Sequence, residues 1–191
     1  MQELQRINIK FYLEDADGLS AEEAFRIFST WIPQTSDEVL IDVADYSHVG
    51  EGPATLLVGH SANYSLDIDA SGTGLLYARK GAQAGDLSAR LSGAIQATLN
   101  ACRRLETDPE LKETRFRGGD LQIVANDRLH APNTDEAEQE LRAALAPVLE
   151  KLFAGAAYEV KRNPAEGERL NLRIQTQDSF AAQNLLDNLA A

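Results

Sequence analysis

The sequence predicts an α+β protein: a mixed, mostly antiparallel sheet with helices packed on one face, built from two topologically similar halves (β-α-β-β-β-α, then β-α-β-β-α). Two observations carry that reading. Segments with apolar residues at every second position alternate along the chain with segments of period 3.6. Several of the strand-like runs are joined by turns too short for anything except antiparallel pairing, whereas strand–helix–strand links favour parallel pairing.

Ile7, Ile9, Phe11 and Leu13 alternate with Asn8, Lys10 and Tyr12, the pattern of a half-buried strand. Asp15 to Gly18 make a turn, and Ser20 with Glu23 forms a capping box that opens a helix. Ala24, Phe25, Phe28, Trp31 and Ile32 supply its apolar stripe, and Pro33 is expected to stop it. Val39 to Val43 and Thr55 to Val58 are short continuous apolar runs, as in central strands covered on both faces. Tyr64 to Ile68 and Leu75 to Ala78 follow as strands, the latter entered through Ser71, Gly72 and Gly74.

From Asp86, an N-cap, the period changes to 3.6, with Leu87, Leu91, Ile95, Thr98, Cys102 and Leu105 on one face. Gly118 and Gly119 precede a strand of Leu121 to Ala125. Asn133 or Thr134 then caps a helix buried through Ala137, Leu141, Leu145, Val148, Leu149 and Leu152. Pro147 interrupts it, lacking the N–H that the Ala143 carbonyl would accept, so a kink or break is expected there. Strands Tyr158 to Lys161 and Leu170 to Thr176 and a final helix capped by Asp178 complete the chain. Residues 1–191 are expected to form a single compact unit, with subdomains 1–106 and 116–191 sharing one core.

Eighteen Lys and Arg stand against thirty Asp and Glu, a formal charge of −12. Such a surface repels phosphate backbones and anionic lipids, which predicts no nucleic-acid partner and no membrane partner. The single cysteine, Cys102, excludes an intrachain disulfide and reads as a small core residue. The first residues alternate like a strand and carry charges throughout, unlike a signal peptide, and no run reaches the roughly 18 apolar residues of a membrane span. A cytoplasmic location is the expectation.

The least random feature is charge placement. Between Arg26 and Arg79 lie 52 residues with no Lys or Arg, holding Asp37, Glu38, Asp42, Asp45, Glu51, Asp67 and Asp69 with two of the three histidines. Imidazole titrates near neutrality and ligates metals, and neighbouring carboxylates orient it. Asp45, His48 and Glu51 are therefore candidate ligands for a divalent metal ion or proton-transfer groups. If Thr55 to Gly59 is a strand, His48 and His60 sit at opposite ends of it, roughly 20 Å apart, too far to share one metal.

His60, Asn63 and Tyr64 form a second candidate binding cluster. Its structural reading gives Gly59 to a bulge, Asn63 to a positive-φ turn and Tyr64 to an anchor. Ser61 and Ser65 beside His60 lack the Gly-x-Ser-x-Gly elbow of a serine hydrolase, and neighbouring side chains on a strand point to opposite faces. Arg79-Lys80 and Arg115, Arg117 are small basic spots, expected to pair with the acidic majority. Arg103-Arg104 complements a helix C-terminus, and His130 reads as a loop residue.

The run Asp42-Val43-Ala44-Asp45-Tyr46-Ser47-His48-Val49, then Gly52-Pro53, Leu57-Val58-Gly59-His60, Asn63-Tyr64-Ser65-Leu66-Asp67 and Gly74-Leu75-Leu76-Tyr77 resembles a pattern in uncharacterised bacterial proteins. The resemblance implies a bacterial cytosolic origin and attaches no fold, activity or cofactor. The leading expectation is a protein that binds a metal or a cationic small molecule within residues 33–78. The alternative is a non-catalytic scaffold or regulatory protein working as a homodimer or with a protein partner.

Overall fold

The computed structural model describes residues 1–165 and 167–191. Its elements run β1 (Ile7–Leu13), α1 (Ala21–Gln34), β2 (Leu40–Asp45), β3 (Gly52–Gly59), β4 (Ala62–Asp69), β5 (Gly72–Arg79), α2 (Leu87–Glu106), β6 (Phe116–Ala125), α3 (Asp135–Leu152), β7 (Tyr158–Arg162), β8 (Asn171–Thr176) and α4 (Ala182–Ala190). The eight strands form one sheet in the order β2-β3-β4-β5-β1-β6-β8-β7. Every pairing in it is antiparallel.

The parallel neighbours that helix crossovers lead one to expect do not occur, and the topology gives the reason. β5 and β6, joined by α2, point the same way but have β1 inserted between them; β6 and β7, joined by α3, have β8 between them. Each of these two crossovers thus spans one strand of opposite direction, and the α1 crossover from β1 to β2 spans three strands, β5, β4 and β3. The halves correspond as β1-α1-β4-β5-α2 and β6-α3-β7-β8-α4, related about the β1–β6 seam, and the β2–β3 hairpin is the addition in the first.

One face of the sheet carries Ile9, Phe11, Leu57, Tyr64, Leu66, Leu75, Tyr77, Leu121, Ile123, Leu172 and Ile174, buried against the helices in a single core cluster. α1 lies on β2 and β3, α2 on β1 and β5, α4 on β6, and α3 packs on α2 and α4. The capping box at Ser20–Glu23 is formed, and Asp86 and Thr134 cap α2 and α3. Cys102 is buried, and burial holds its thiol pKa well above the ordinary value.

Several boundaries differ from the expectations. α1 continues one residue past Pro33, and it buries Ile27 while leaving Phe25 exposed. α3 runs unbroken through Pro147, whose exposed position leaves the freed Ala143 carbonyl open to water. α4 begins at Ala182, past Asp178, and its Ala181 N–H is taken by Asn184 Oδ1 at 3.3 Å. Gly118 lies inside β6, which begins at Phe116, and the Phe180 backbone packs directly onto it, leaving no room for a Cβ.

Among the described residues no helix covers the opposite face of the sheet, yet its centre is buried. Lys10 is 1 % exposed; its Nζ lies 2.8 Å from Asp67 and 2.9 Å from Asp69 and donates to the Gly72 carbonyl. Arg173 holds Asp120 through two hydrogen bonds of 2.7 and 2.6 Å, with its guanidinium 3.9 Å from the Tyr12 ring centre. Two acids of the cation-free tract therefore serve to hold β1 to β4.

Candidate functional site

A cavity of about 1100 Å³ opens on the helical side, between the end of α1, the approach to β2, the β3–β4 turn and α2. Its floor is a cross-strand aromatic pair: Tyr64 of β4 sits opposite Tyr77 of β5, ring centres 5.3 Å apart and edge to face. The Tyr64 hydroxyl donates to Glu38 Oε2 at 2.8 Å. Burial, reinforced by the Glu38 charge and that hydrogen bond, drives the Tyr64 pKa far above its ordinary value, so the hydroxyl remains a donor. Burial also raises Tyr77, whose oxygen accepts from Arg79 Nη1 at 3.2 Å.

One wall is acidic, with Asp37 exposed beside Glu38. The facing helix α2 contributes Gln96, Asn100, Arg103 and Arg104. Arg104 stacks over Trp31, its guanidinium 4.5 Å from the ring centre, and donates to Thr35 at 2.9 Å and Gln34 at 2.7 Å. Desolvation lowers its pKa, opposed by Asp108 and Asp37. Arg103 is exposed and donates to Gln183 at 3.1 Å. The cavity therefore offers carboxylates, guanidinium groups and an aromatic floor together, the combination that lets a concave site orient an organic molecule.

The two sequence-derived clusters fare differently. His60 and Tyr64 both line this cavity, but Asn63 does not: as the β4 neighbour of Tyr64 it projects from the opposite sheet face, paired with Ala78 and Val58. Asn63 is a strand residue and not a positive-φ turn residue. His60 and Ser61 make the tight turn between Gly59 and Ala62, where the Ala62 carbonyl lies against Gly59 and excludes a Cβ.

Asp45, His48 and Glu51 are all exposed around the β2–β3 connection. Asp45 is occupied locally: its Oδ1 accepts the Ser47 N–H at 2.8 Å, and hydrogen bonding from Ser47 lowers its pKa. His48 lies 6.4 Å from the Tyr46 ring, centre to centre. Among the described residues no group of three or more His, Cys, Asp or Glu is arranged to hold a metal ion. His48 and His60 flank the eight residues of β3, about 25 Å of strand. They form two places and not one.

Of the basic spots, Arg117 meets an acid as expected, 4.0 Å from Asp120, whereas Arg79 and Lys80 turn to backbone carbonyls. Arg79, which lines the cavity, donates to the Gly81 and Ala82 carbonyls, and Lys80 donates to the Gly59 carbonyl at the β3–β4 turn. Arg103 and Arg104 were legible only as dipole partners of α2. The signal for their role is the spacing Gly93, Gln96, Ala97, Asn100, Arg103, Arg104, Thr107, a polar face of period 3.6 opposite the buried one. His130, in its loop, lies 2.9 Å from Asp127 and helps hold that carboxyl below its usual range.

No helix among the described residues is long and apolar enough to cross a membrane. In comparisons with known proteins the chain matches no family model, no curated protein and no solved structure.

Proposed function

We propose that this protein binds a small organic molecule carrying both a cationic and an anionic group, in the cavity floored by Tyr64 and Tyr77. The observation that carries the reading is the presence of both charges in one hollow, which Asp37 and Glu38 line together with Arg79, Arg103 and Arg104. A ligand ammonium is attracted to the acid wall and a carboxylate or phosphonate to the arginines, which suit planar oxyanions. Trp31 is the sole tryptophan of the chain and lines the cavity, so its emission reports occupancy without a label. Titration with a panel of amino acids, betaines and aminophosphonates is expected to change that emission saturably. Asp37→Asn and Arg103→Gln are each expected to weaken the best ligand about tenfold, or ~1.4 kcal/mol. No response from the panel, or equal binding by both variants, would overturn the proposal.

The metal version places a divalent cation on Asp45, His48 and Glu51, and the separate exposure of those residues lends it no support. Calorimetry with divalent metals on the wild type and His48→Ala decides it. The scaffold reading draws on a different observation, the exposed aliphatic side chains at the β2 edge.

A further inference from the structure

Among the described residues six large hydrophobic side chains are exposed, and four of them, Val39, Ile41, Tyr46 and Val49, lie on β2 or within four residues of its ends. Val39 is 65 % and Ile41 56 % exposed, and β2 is an outermost strand of the sheet. An edge strand presents a row of unpaired backbone groups, a template for another strand unless it is blocked. Here the direction of those groups follows from the ladder. The Tyr46 N–H donates to the Ala54 carbonyl across the β2–β3 pair, so alternation turns the N–H groups of Val43 and Asp45 outward. The Val43 N–H is met by the Asp42 carboxylate at 2.9 Å, an acceptor standing where an incoming carbonyl would bind.

We propose that the β2 edge receives an extended segment of a different protein, in which aliphatic residues alternate with Lys or Arg. Charge selects the occupant. Asp37, Asp42, Asp45 and Glu51 surround the aliphatic residues, no Lys or Arg occurs between Arg26 and Arg79, and none of these four acids has a cationic partner among the described residues. A second copy pairing through β2 would set this acidic set against itself, and like charges opposite one another across a strand pair destabilise it. A basic segment neutralises the set and frees Asp42 from Val43. Backbone hydrogen bonds then supply affinity while Ile41 and Val39 supply the apolar contact.

The test uses the full chain and a fluorescein-labelled peptide of alternating Lys and Ile, followed by anisotropy. Peptides alternating Glu with Ile and Lys with Gly serve as controls. The Lys–Ile peptide is expected to bind at least about tenfold more tightly than either control, with affinity falling as salt rises. Ile41→Ser and Val43→Pro leave the net charge unchanged, so generic attraction to an acidic surface is the same in both. Each is expected to weaken the Lys–Ile peptide about tenfold. Proline at Val43 removes an outward N–H and leaves the β2–β3 ladder its donors. Should Val43→Pro melt below the assay temperature, Ile41→Ser decides alone. Equal binding of the Lys–Ile and Lys–Gly peptides, an unchanged affinity in Ile41→Ser, or a wild-type homodimer that Ile41→Ser dissociates, would overturn the proposal.

Discussion

Tyr64 shows how one side chain serves packing and site at once. Its ring is core, stacked edge-on against Tyr77, while its hydroxyl holds Glu38 in the cavity wall. Tyr64→Phe is expected to cost about 1 kcal/mol, the net worth of one hydrogen bond whose acceptor can turn to water. The same substitution has a signature in pH. An unfolded tyrosine ionises near pH 10, whereas burial holds Tyr64 and Tyr77 protonated above that and pushes Tyr12 up to about 12. Above pH 10 the folded state therefore binds more protons than the unfolded one, and stability falls as pH rises. Urea midpoints at pH 9 and 11 are expected to drop more for the wild type than for Tyr64→Phe; equal drops would show that Tyr64 does not titrate late.

At the scale of elements, helix faces were the most legible feature, because a period of 3.6 over fourteen to twenty residues leaves little choice of buried side. Every residue assigned to the buried faces of α2 and α3 is buried. Local hydrogen-bond chemistry made the caps at Ser20, Asp86 and Thr134 readable for the same reason: donor and acceptor lie three residues apart. Non-local facts were not readable. Nothing in Val39 to Val43 announces that it ends a sheet, and an apolar run fits an edge with exposed Ile41 as well as a covered centre. The cavity escaped for a related reason, since Arg104 meets Trp31 and Gln34 from 70 residues away. Helix α3 offers a prediction at this scale. Its proline is exposed and the buried stripe continues on both sides, so the fold has absorbed a missing hydrogen bond. Pro147→Ala restores that donor and is expected to stabilise the protein by about 1–3 kcal/mol in urea unfolding.

For the molecule as a whole, the arrangement of strands makes a prediction about cooperativity. The two halves repeat one order of elements and meet only along the β1–β6 seam of the sheet, with α2 packed on α3 and α4 behind it. A seam of that kind could divide the molecule into two independently melting units. Two features argue that it does not. β1 is the first strand of the chain but is paired on one side with β5 and on the other with β6, so its loss strips a neighbour from each half. The buried cluster also runs without interruption from Leu4 through Leu186, and α2 of the first half supplies the surface on which both second-half helices pack. Neither half can open without exposing the other's apolar face, which is the condition for all-or-none unfolding. Trp31 emission reports the first half alone, because no other tryptophan exists, and far-UV circular dichroism reports helices of both. The two signals are expected to share one urea midpoint and one slope. A tryptophan transition at lower urea, with a second transition remaining in the circular dichroism, would show that β6 to α4 stands without β1.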